Sequence, residues 1–499
     1  MDHPLILLLL VPVLGALVVA LLPPERVSLI RNTAILVAVL TLVYATGLAT
    51  QVDFSSAAIQ LNTSIVWNEQ LGTSFSLGVD GLAFPLVLLT TLLVLMALLA
   101  SHMITHHVKG YYLLMLLLEA ATMGVFVAQD WGLFYVFWEL VLIPLFFLID
   151  RWGGKNRQTA ALNFVLYTMG GSIFMLLALL VLFDATPSHS FTFAAMAEGA
   201  KHLGATEQVL IFVGMLIGLG VKMPLFPLHG WLPLAHVEAP SPVSILLSGI
   251  LLKMGSYGLL RVIEILPAAA VAMQGVLFTL GVIGLLYGGL LAWRQSDMKK
   301  MIAYSSVSHM GVVLIGISTL NVYGMTGAVY QMVAHGLVAG ATFMLIGLLY
   351  ERTHTRDIND YGSLIKVTPR FAFLIILAFV GGVGLPSTAG FVAELHVLIG
   401  GFSTWGWMIV LLSLGVLVTA AYSIRTVKHL YTGPVRLDME KVDDLHPLEM
   451  VAAGSLIAGT MLLGFYPTPL LDMMDVSVQH LISQFTAGSM AQLSGGIMQ

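Results

Sequence analysis

Lys222 and Lys253 stand in the middle of two apolar runs, GLGVKMPLFPLHGWLP and SPVSILLSGILLK, inside the stretch from Gly218 to Lys253. Lysine in hydrocarbon costs roughly 3 kcal/mol on insertion scales. The first run is also interrupted by Pro224, Pro227 and Pro233. Proline removes a backbone donor and frees carbonyls that hydrocarbon does not tolerate, so water or polar side chains must reach them. A tolerated proline kink is the ordinary reading of such a break. With a lysine beside it, the break reads as a hydrated pocket, and the two lysines read as groups that move charge.

Other ionisable residues fall at a similar depth. Glu119, Glu139, His309 (in AYSSVSHMG), His335 (in YQMVAHGLVAG) and Glu394 each lie inside an apolar run. Most are 8 to 15 residues from a run's end, hence roughly 12–22 Å deep at 1.5 Å per helical residue. They form a layer at the bilayer midplane, except that Glu394, beyond the break at Pro386, sits nearer the side whose connections hold few Lys and Arg. Mixed amines, carboxylates and imidazoles are what a proton relay needs. Burial favours the neutral amine and a nearby carboxylate favours the charged one, so joining or separating such a pair captures or releases a proton. At an effective dielectric near 20, a pair 4 Å apart interacts by about 4 kcal/mol, enough for a switch.

The plainer readings are a structural ion pair for Glu139 and Lys222, and hydrogen-bonded packing for His309 and His335. The number of such groups at one level, with Tyr304, Ser305, Ser306 and Ser308 beside His309, favours the relay. A bis-histidine haem is disfavoured because each helix supplies a single mid-depth histidine. His229 and His236 flank the broken helix as proton-uptake groups or as ordinary interfacial histidines. His102, His106 and His107 have no carboxylate at ligand spacing, so no metal site is expected there. The chain has no cysteine, which removes iron–sulfur ligation and thiol catalysis.

The elements that must position these groups are apolar helices. Of the 499 residues, 58% are hydrophobic and 9% charged, against about 25% charged in soluble domains. The net charge of -5 is spread over short loops and gives no tail for nucleic acid. Fourteen apolar segments are long enough to span a bilayer, each needing about 20 residues. Their approximate bounds are 4–22, 30–50, 80–101, 111–129, 131–150, 160–183, 207–235, 242–264, 269–293, 299–319, 323–350, 370–400, 405–430 and 447–466. The fold expected is an all-α polytopic membrane protein. Val52 to Gly78 and Asp184 to Glu207 read as exposed loops, and Thr468 to Gln499 as a short interfacial tail. The N-terminal apolar run follows an acidic residue and reads as the first spanning helix, not a cleaved leader.

Basic residues sort cleanly on this map. Connections after odd-numbered segments hold 17 of the 21 Lys and Arg, Arg436 among them; the other side holds Lys201 and Arg261. Only Lys222 and Lys253 remain, both inside the membrane. By the positive-inside rule both termini face the positive-poor side. A weak internal symmetry accompanies this. The seventh segment (GVKMPLFPLHGWLP) and the twelfth (GGVGLPSTAGFVAEL) are both Gly-rich and proline-interrupted, five segments apart. An odd offset makes the second copy inverted, and paired broken helices point to a transport site.

FVAQDWGLFYVFWELVLIPLFFLI, GVKMPLFPLHGWLPLAHVEAPSPVSILLSGILLKMGSYGLLR, MKKMIAYSSVSHMGVVLIGI and QMVAHGLVAGATFMLIGLLYERTHTRDIND resemble the antiporter-like subunit M, or chain 4, of respiratory complex I. The resemblance runs from about Asp80 to Pro467. It implies fourteen helices, two inverted five-helix repeats, and discontinuous helices seven and twelve. The implied division is 1–110 (three N-terminal helices), 111–264 (first repeat), 269–430 (second repeat) and 431–499 (loop, last helix and tail). By motif, it implies that Glu139 in FWEL pairs with Lys222 in GVKMP, that Lys253 in LLKMG is the central lysine, and that Glu394 in FVAEL is the distal exit group. Glu119 matches a family carboxylate, and His309 and His335 belong to a central hydrophilic axis.

The resemblance further implies no redox cofactor in this chain. Quinone, NAD(P)H or ferredoxin, and iron–sulfur clusters belong to partner subunits. Partners are the other membrane-arm subunits, including a larger and a smaller antiporter-like subunit, and lipid. WGGKNRQTAALNFVLYTMGGS and YERTHT are most similar to chain 4 of the cyanobacterial and chloroplast photosynthetic form, which reduces plastoquinone in the thylakoid; a bacterial plasma membrane is the other location. Cyanobacterial variants also serve carbon dioxide uptake, and Thr432 to Pro447 departs from the commonest form. The largest antiporter-like subunit is excluded, because the chain is too short for its lateral helix. Two other functions compete with a proton-translocating subunit: the D-type chain of a multisubunit cation/proton antiporter, and a scaffold whose channel is silent.

Overall fold

The computed structural model describes residues 3–70, 72–435 and 439–495, with side chains as far as 485. Arg436, counted above on the positive-rich side, lies outside the described residues. The N-terminal part comprises α1 (Pro4–Leu21), α2 (Val27–Leu48), strands β1 (Gln60–Asn68) and β2 (Thr73–Val79), and α3 (Phe84–Leu99). There follow α4 (Val108–Val127), α5 (Trp131–Leu140), α6 (Leu142–Trp152), α7 (Arg157–Ala185), α8 (Phe193–Ala200), α9 (Ala205–Lys222), α10 (Trp231–Glu238), α11 (Ser241–Leu246) and α12 (Leu252–Ile265). The rest is α13 (Pro267–Arg294), α14 (Met298–Ser318), α15 (Val322–Thr353), α16 (Pro369–Val383), α17 (Ala389–Trp405), α18 (Val410–Tyr431), α19 (Pro447–Phe465) and α20 (Thr468–Gly495).

Thirteen helical segments of the described residues are long and apolar enough to cross a membrane. One of them, Ala389–Tyr431, has 43 residues, far more than one crossing needs. It turns at Gly406, whose φ of +55° favours glycine. Beyond the turn α18 runs back alongside α13, Gly415 lying on Leu285 and Arg425 bonding to the Trp293 and Gln295 carbonyls.

Burial sorts the helices by role. The apolar stretch of Ser241–Ile265 is 100% buried, that of Val322–Thr353 94% and that of Met298–Ser318 89%, against 22% for Val27–Leu48. The three most enclosed spans are those that carry Lys253, His335 and His309. At Gly311 the backbones of helices α13 and α14 meet directly. A Cβ on Gly311 would come within 2.5 Å of the Leu285 nitrogen and 2.6 Å of the Gly281 oxygen. Small residues allow such close approach where lipid offers no hydrophobic drive for association.

The basic residues of one face tie helix ends together. Lys299 donates to the Ala239 carbonyl (2.5 Å), Arg356 to the Val237 carbonyl (3.0 Å) and Arg352 to the Glu449 carboxylate (2.6 Å). The opposite, positive-poor face is more structured than its polar sequence suggests, and three expectations are corrected there. The stretch read as the loop Val52 to Gly78 holds an antiparallel hairpin, of which Ser76 to Val79 are buried. Asp130 fastens it, accepting from the Ser74 nitrogen (3.1 Å) and hydroxyl (3.0 Å) while capping α5 through the Leu133 nitrogen (3.0 Å). Burial pushes the Asp130 carboxyl above its usual range, against the pull of those donors. The second loop contains α8, capped by Thr192, with Met196 and Gly199 buried. The supposed short tail is the 28-residue helix α20, packed across α3, α13 and α15.

Candidate functional site

Lys222 is the last residue of α9 and is fully buried. Its ammonium donates to the Trp138 carbonyl at 2.8 Å and sits 3.7 Å from the centre of the Trp138 ring. That carbonyl belongs to the last turn of α5, before the chain restarts as α6 past Val141. Helix C-termini leave carbonyls unpaired and carry partial negative charge, so an ammonium there is well placed. The Trp138 ring is held in turn by its Nε1 donating to the Ser172 hydroxyl (3.0 Å).

The ion pair implied between Lys222 and Glu139 is not a contact: no salt bridge within 4.0 Å joins them, and the carboxylate acts on the ammonium only at longer range. The cause is angular. Successive helical residues differ in direction by about 100°, so with Trp138 turned inward Glu139 faces the outer side of α5. It is half-buried there, beside the exposed Val136, Leu140 and Ile143, and its Oε1 has no hydrogen-bond partner.

Lys253 follows a π-helical turn at Leu247–Leu251. Such a turn disturbs the regular ladder and leaves a carbonyl unmatched in the middle of a span. The Lys253 ammonium donates to the Ser248 carbonyl at 2.7 Å and lies 2.6 Å from Nδ1 of His335. Nε2 of His335 is 3.2 Å from the Ser306 hydroxyl, which is 2.8 Å from the Ser248 hydroxyl. The π-helical turn and helices α12, α14 and α15 thus close a hydrogen-bonded ring around one buried amine. His309 extends it: the His309 and His335 rings are 5.2 Å apart, and Gln331 Nε2 is 3.2 Å from His309 Nδ1. Gly255 brings α12 onto the end of α9, since a Cβ there would lie 2.6 Å from the Leu219 oxygen and 2.8 Å from the Met223 nitrogen.

Towards α16–α18 the polar line continues through a cavity of about 20 Å³ lined by Ser305, His309, His335 and Tyr422. That is room for one water. Tyr422 itself is buried on α18. Glu394 lies five residues beyond the break between α16 and α17, a break that Gly384 (φ +72°) and the Thr388 cap define. The Glu394 carboxylate lies against Gly384, 2.6 Å from where a Cβ would stand, and the positive φ favours glycine there.

Glu119 is fully buried on α4, and neither carboxylate oxygen has a hydrogen-bond partner. It makes no hydrogen bond to the Lys253 ring. His236 is also fully buried with both ring nitrogens unpartnered, stacked on Phe343 at 5.1 Å; His229 lies between Phe226 and Tyr287. Sequence reasoning missed Trp138, Ser248, Gln331 and Tyr422. The signals available were weak: an indole next to a charged residue, a Ser–Gly step in SPVSILLSGILLK, and a Gln four residues before His335. Among the described residues no three His, Cys, Asp or Glu side chains converge to hold a metal ion.

The sequence model of the NADH:quinone oxidoreductase/Mrp antiporter transmembrane family matches residues 128–419. The chain belongs to that family. It is 40% identical over 490 residues to NAD(P)H-quinone oxidoreductase chain 4 1 of Synechococcus elongatus, covering 96% of this chain and 91% of that one. It is 39% identical over 439 residues to NADH-quinone oxidoreductase subunit M of Rhodobacter capsulatus, covering 85% and 86%. Its fold matches a chain in the structure of respiratory complex I from Thermus thermophilus with bound NADH, at TM-score 0.88 and 29% identity over 97% of this chain and 100% of that one. A chain of the Mrp complex from Dietzia shares the fold at TM-score 0.82 and 22% identity, over 95% of this chain and 52% of that one.

Proposed function

We propose that this family member translocates protons as a membrane subunit of a complex I-like quinone oxidoreductase, with electron transfer carried by partner subunits. The observation that carries the reading is the closed ring of Lys253, His335, Ser306 and Ser248. An amine, an imidazole and two hydroxyls in hydrogen-bond sequence, level with Lys222, can hold and pass a proton at bilayer mid-depth. Glu139 receives it at the outer face of α5, and Glu394 delivers it beyond the second break. Movement runs from the positive-rich to the positive-poor face, where both termini lie.

Two repeats, 111–264 and 269–430, in fourteen crossings fit this path. Helix α9 approaches its break from the positive-poor face and α16 approaches its own from the positive-rich face, which is the relation of inverted copies. The cyanobacterial relatives favour a thylakoid complex that reduces plastoquinone with NAD(P)H or ferredoxin electrons, serving respiration, cyclic electron flow or carbon dioxide uptake. Iron–sulfur clusters and the quinone site then belong to partners, which include a larger and a smaller antiporter-like subunit. A second reading, the D-type chain of a multisubunit cation/proton antiporter, draws on the family description and on the shared Mrp fold.

Purification of the native assembly separates the two by whether peripheral redox subunits or only other antiporter chains accompany this one. Conduction is tested in that assembly reconstituted into vesicles. Lys222→Ala or Glu139→Ala abolishes pumping if the chain conducts. An unchanged proton-to-electron ratio with assembly intact makes it a scaffold.

A further inference from the structure

A cavity of about 710 Å³ opens at the positive-poor face between the β-hairpin, α8, α12 and α20, lined among others by Asn62, Gln129, Lys201, Gln208, Arg261 and Glu264. A second, of about 210 Å³, meets the same arginine from the side of Asp80, Ser477 and His480. Arg261 is 2% exposed and, with Ile59 and Glu264, lines both. It lies eight residues beyond Lys253 on the same helix, so about 12 Å of protein along the axis separates this water-accessible space from the central lysine. Ser256, Tyr257 and Arg261 are the polar residues of α12 over that distance.

Each nitrogen of the Arg261 guanidinium donates a hydrogen bond, and the Tyr257 hydroxyl both accepts one and donates one. Arg261 donates from NH2 to Asp80 (2.8 Å), from NH1 to Glu264 (3.0 Å) and from Nε to the Tyr257 hydroxyl (3.1 Å). Tyr257 donates onward to the Phe126 carbonyl (2.9 Å). Asp80 is fixed by the nitrogens of Leu82 (3.1 Å) and Ala83 (2.9 Å) at the start of α3. A proton wire requires each member to accept at one atom and donate from another. A guanidinium has five donors, no acceptor, and does not deprotonate in proteins. The phenol's one proton is committed to a backbone carbonyl.

We propose that Arg261, clamped by Asp80 and Glu264 onto Tyr257, is a proton seal that isolates the Lys253 ring from the positive-poor vestibule. The proposal rests on the reading of Lys253 as a relay group. The seal sends protons bound for the positive-poor face along the Glu394 side and prevents their return through α12. Arg261 is a positioning residue: it touches no transferred proton, and its work is to break the wire.

The test uses the assembled complex in vesicles, without electron donor, with an acid pulse applied on the positive-poor side and internal pH followed by a trapped dye. The double variant Arg261→Gln with Asp80→Asn removes both charges of the buried pair, leaves only the partly exposed Glu264 carboxylate facing the cavity, and supplies an amide that accepts as well as donates. Its leak is expected to be several-fold above wild type, with electron transfer retained and the proton-to-electron ratio lowered. Adding Lys253→Met should return the leak to the wild-type value. A wild-type leak in the double variant overturns the seal, and so does a leak that persists with Lys253→Met, which marks general damage. Should the double variant not assemble, Arg261→Lys keeps the pairing with Asp80 but gives a group that can release its proton. It is expected to leak too, and a wild-type leak there overturns the proposal. Normal pumping by Lys253→Met alone sinks the relay reading instead, and is measured without touching Arg261.

Discussion

The Lys253 ammonium and Nδ1 of His335 are 2.6 Å apart, on α12 and α15, with neither group exposed to solvent. At that distance one proton is shared between an amine and an imidazole, and the Ser306 hydroxyl at the far nitrogen can serve either tautomer, since it both donates and accepts. The ring works only if the amine can lose its proton. Lys253→Arg keeps the charge and donors but cannot deprotonate. It is expected to assemble normally and lose most proton-coupled quinone reduction, measured as turnover and dye-detected pumping in vesicles. Full activity in that variant removes Lys253 from the relay.

Glu119 gives a prediction of opposite sign for stability. A buried carboxyl without a partner costs roughly 1–3 kcal/mol in mutational data. Glu119→Met, of similar length and apolar, should therefore leave the melting temperature of the assembled complex unchanged or raised. If the carboxyl takes part in transfer, pumping falls in the same variant. Loss of both stability and pumping would show that Glu119 has a partner in the assembly and a structural role.

The ionisable groups were legible in the sequence because hydrocarbon makes each of them conspicuous: Lys222, Lys253, His309 and His335 interrupt otherwise apolar runs, and all four are buried in the structure. Their partners were not. Whether Lys222 meets Glu139 or the carbonyl of Trp138 depends on one residue's rotation of α5, and a step of about 100° decides it. The π-helical turn before Lys253 leaves no compositional mark beyond Ser248–Gly249. On the positive-poor face, polar strands and the amphipathic α20 read as loop and tail because their burial comes from packing on other elements, as the Gly81 nitrogen donating to the Ser477 hydroxyl or Asp130 holding Ser74 illustrates.

The α13–α14 contact predicts a stability defect far from any titratable group. A methyl on Gly311 would press on the Leu285 nitrogen and the Gly281 oxygen, backbone atoms that cannot rotate away. Overpacking of this kind costs typically 1–3 kcal/mol. Gly311→Ala should lower the melting temperature and the yield of assembled complex, whereas Gly275→Ala on the same α13, where a Cβ meets nothing within 4 Å, should not. Equal behaviour of the two variants would mean that the helices can part at no cost.

Lys222 and Glu139 allow a prediction on coupling. Residues in contact commonly show interaction energies of 0.5–3 kcal/mol in double-mutant cycles, and separated ones add within about 0.5 kcal/mol. Because the ammonium rests on the Trp138 carbonyl and ring, Lys222→Met should destabilise the complex by stranding that carbonyl, with or without the carboxylate. Glu139→Gln, on the half-buried outer face, should change stability little. The thermal-stability cycle of the two single variants and the double variant is therefore expected to be additive within about 0.5 kcal/mol, while each single variant lowers pumping. A coupling well above that figure would show that the pair closes in the working complex, and that the separation seen between α5 and α9 is one position of a switch.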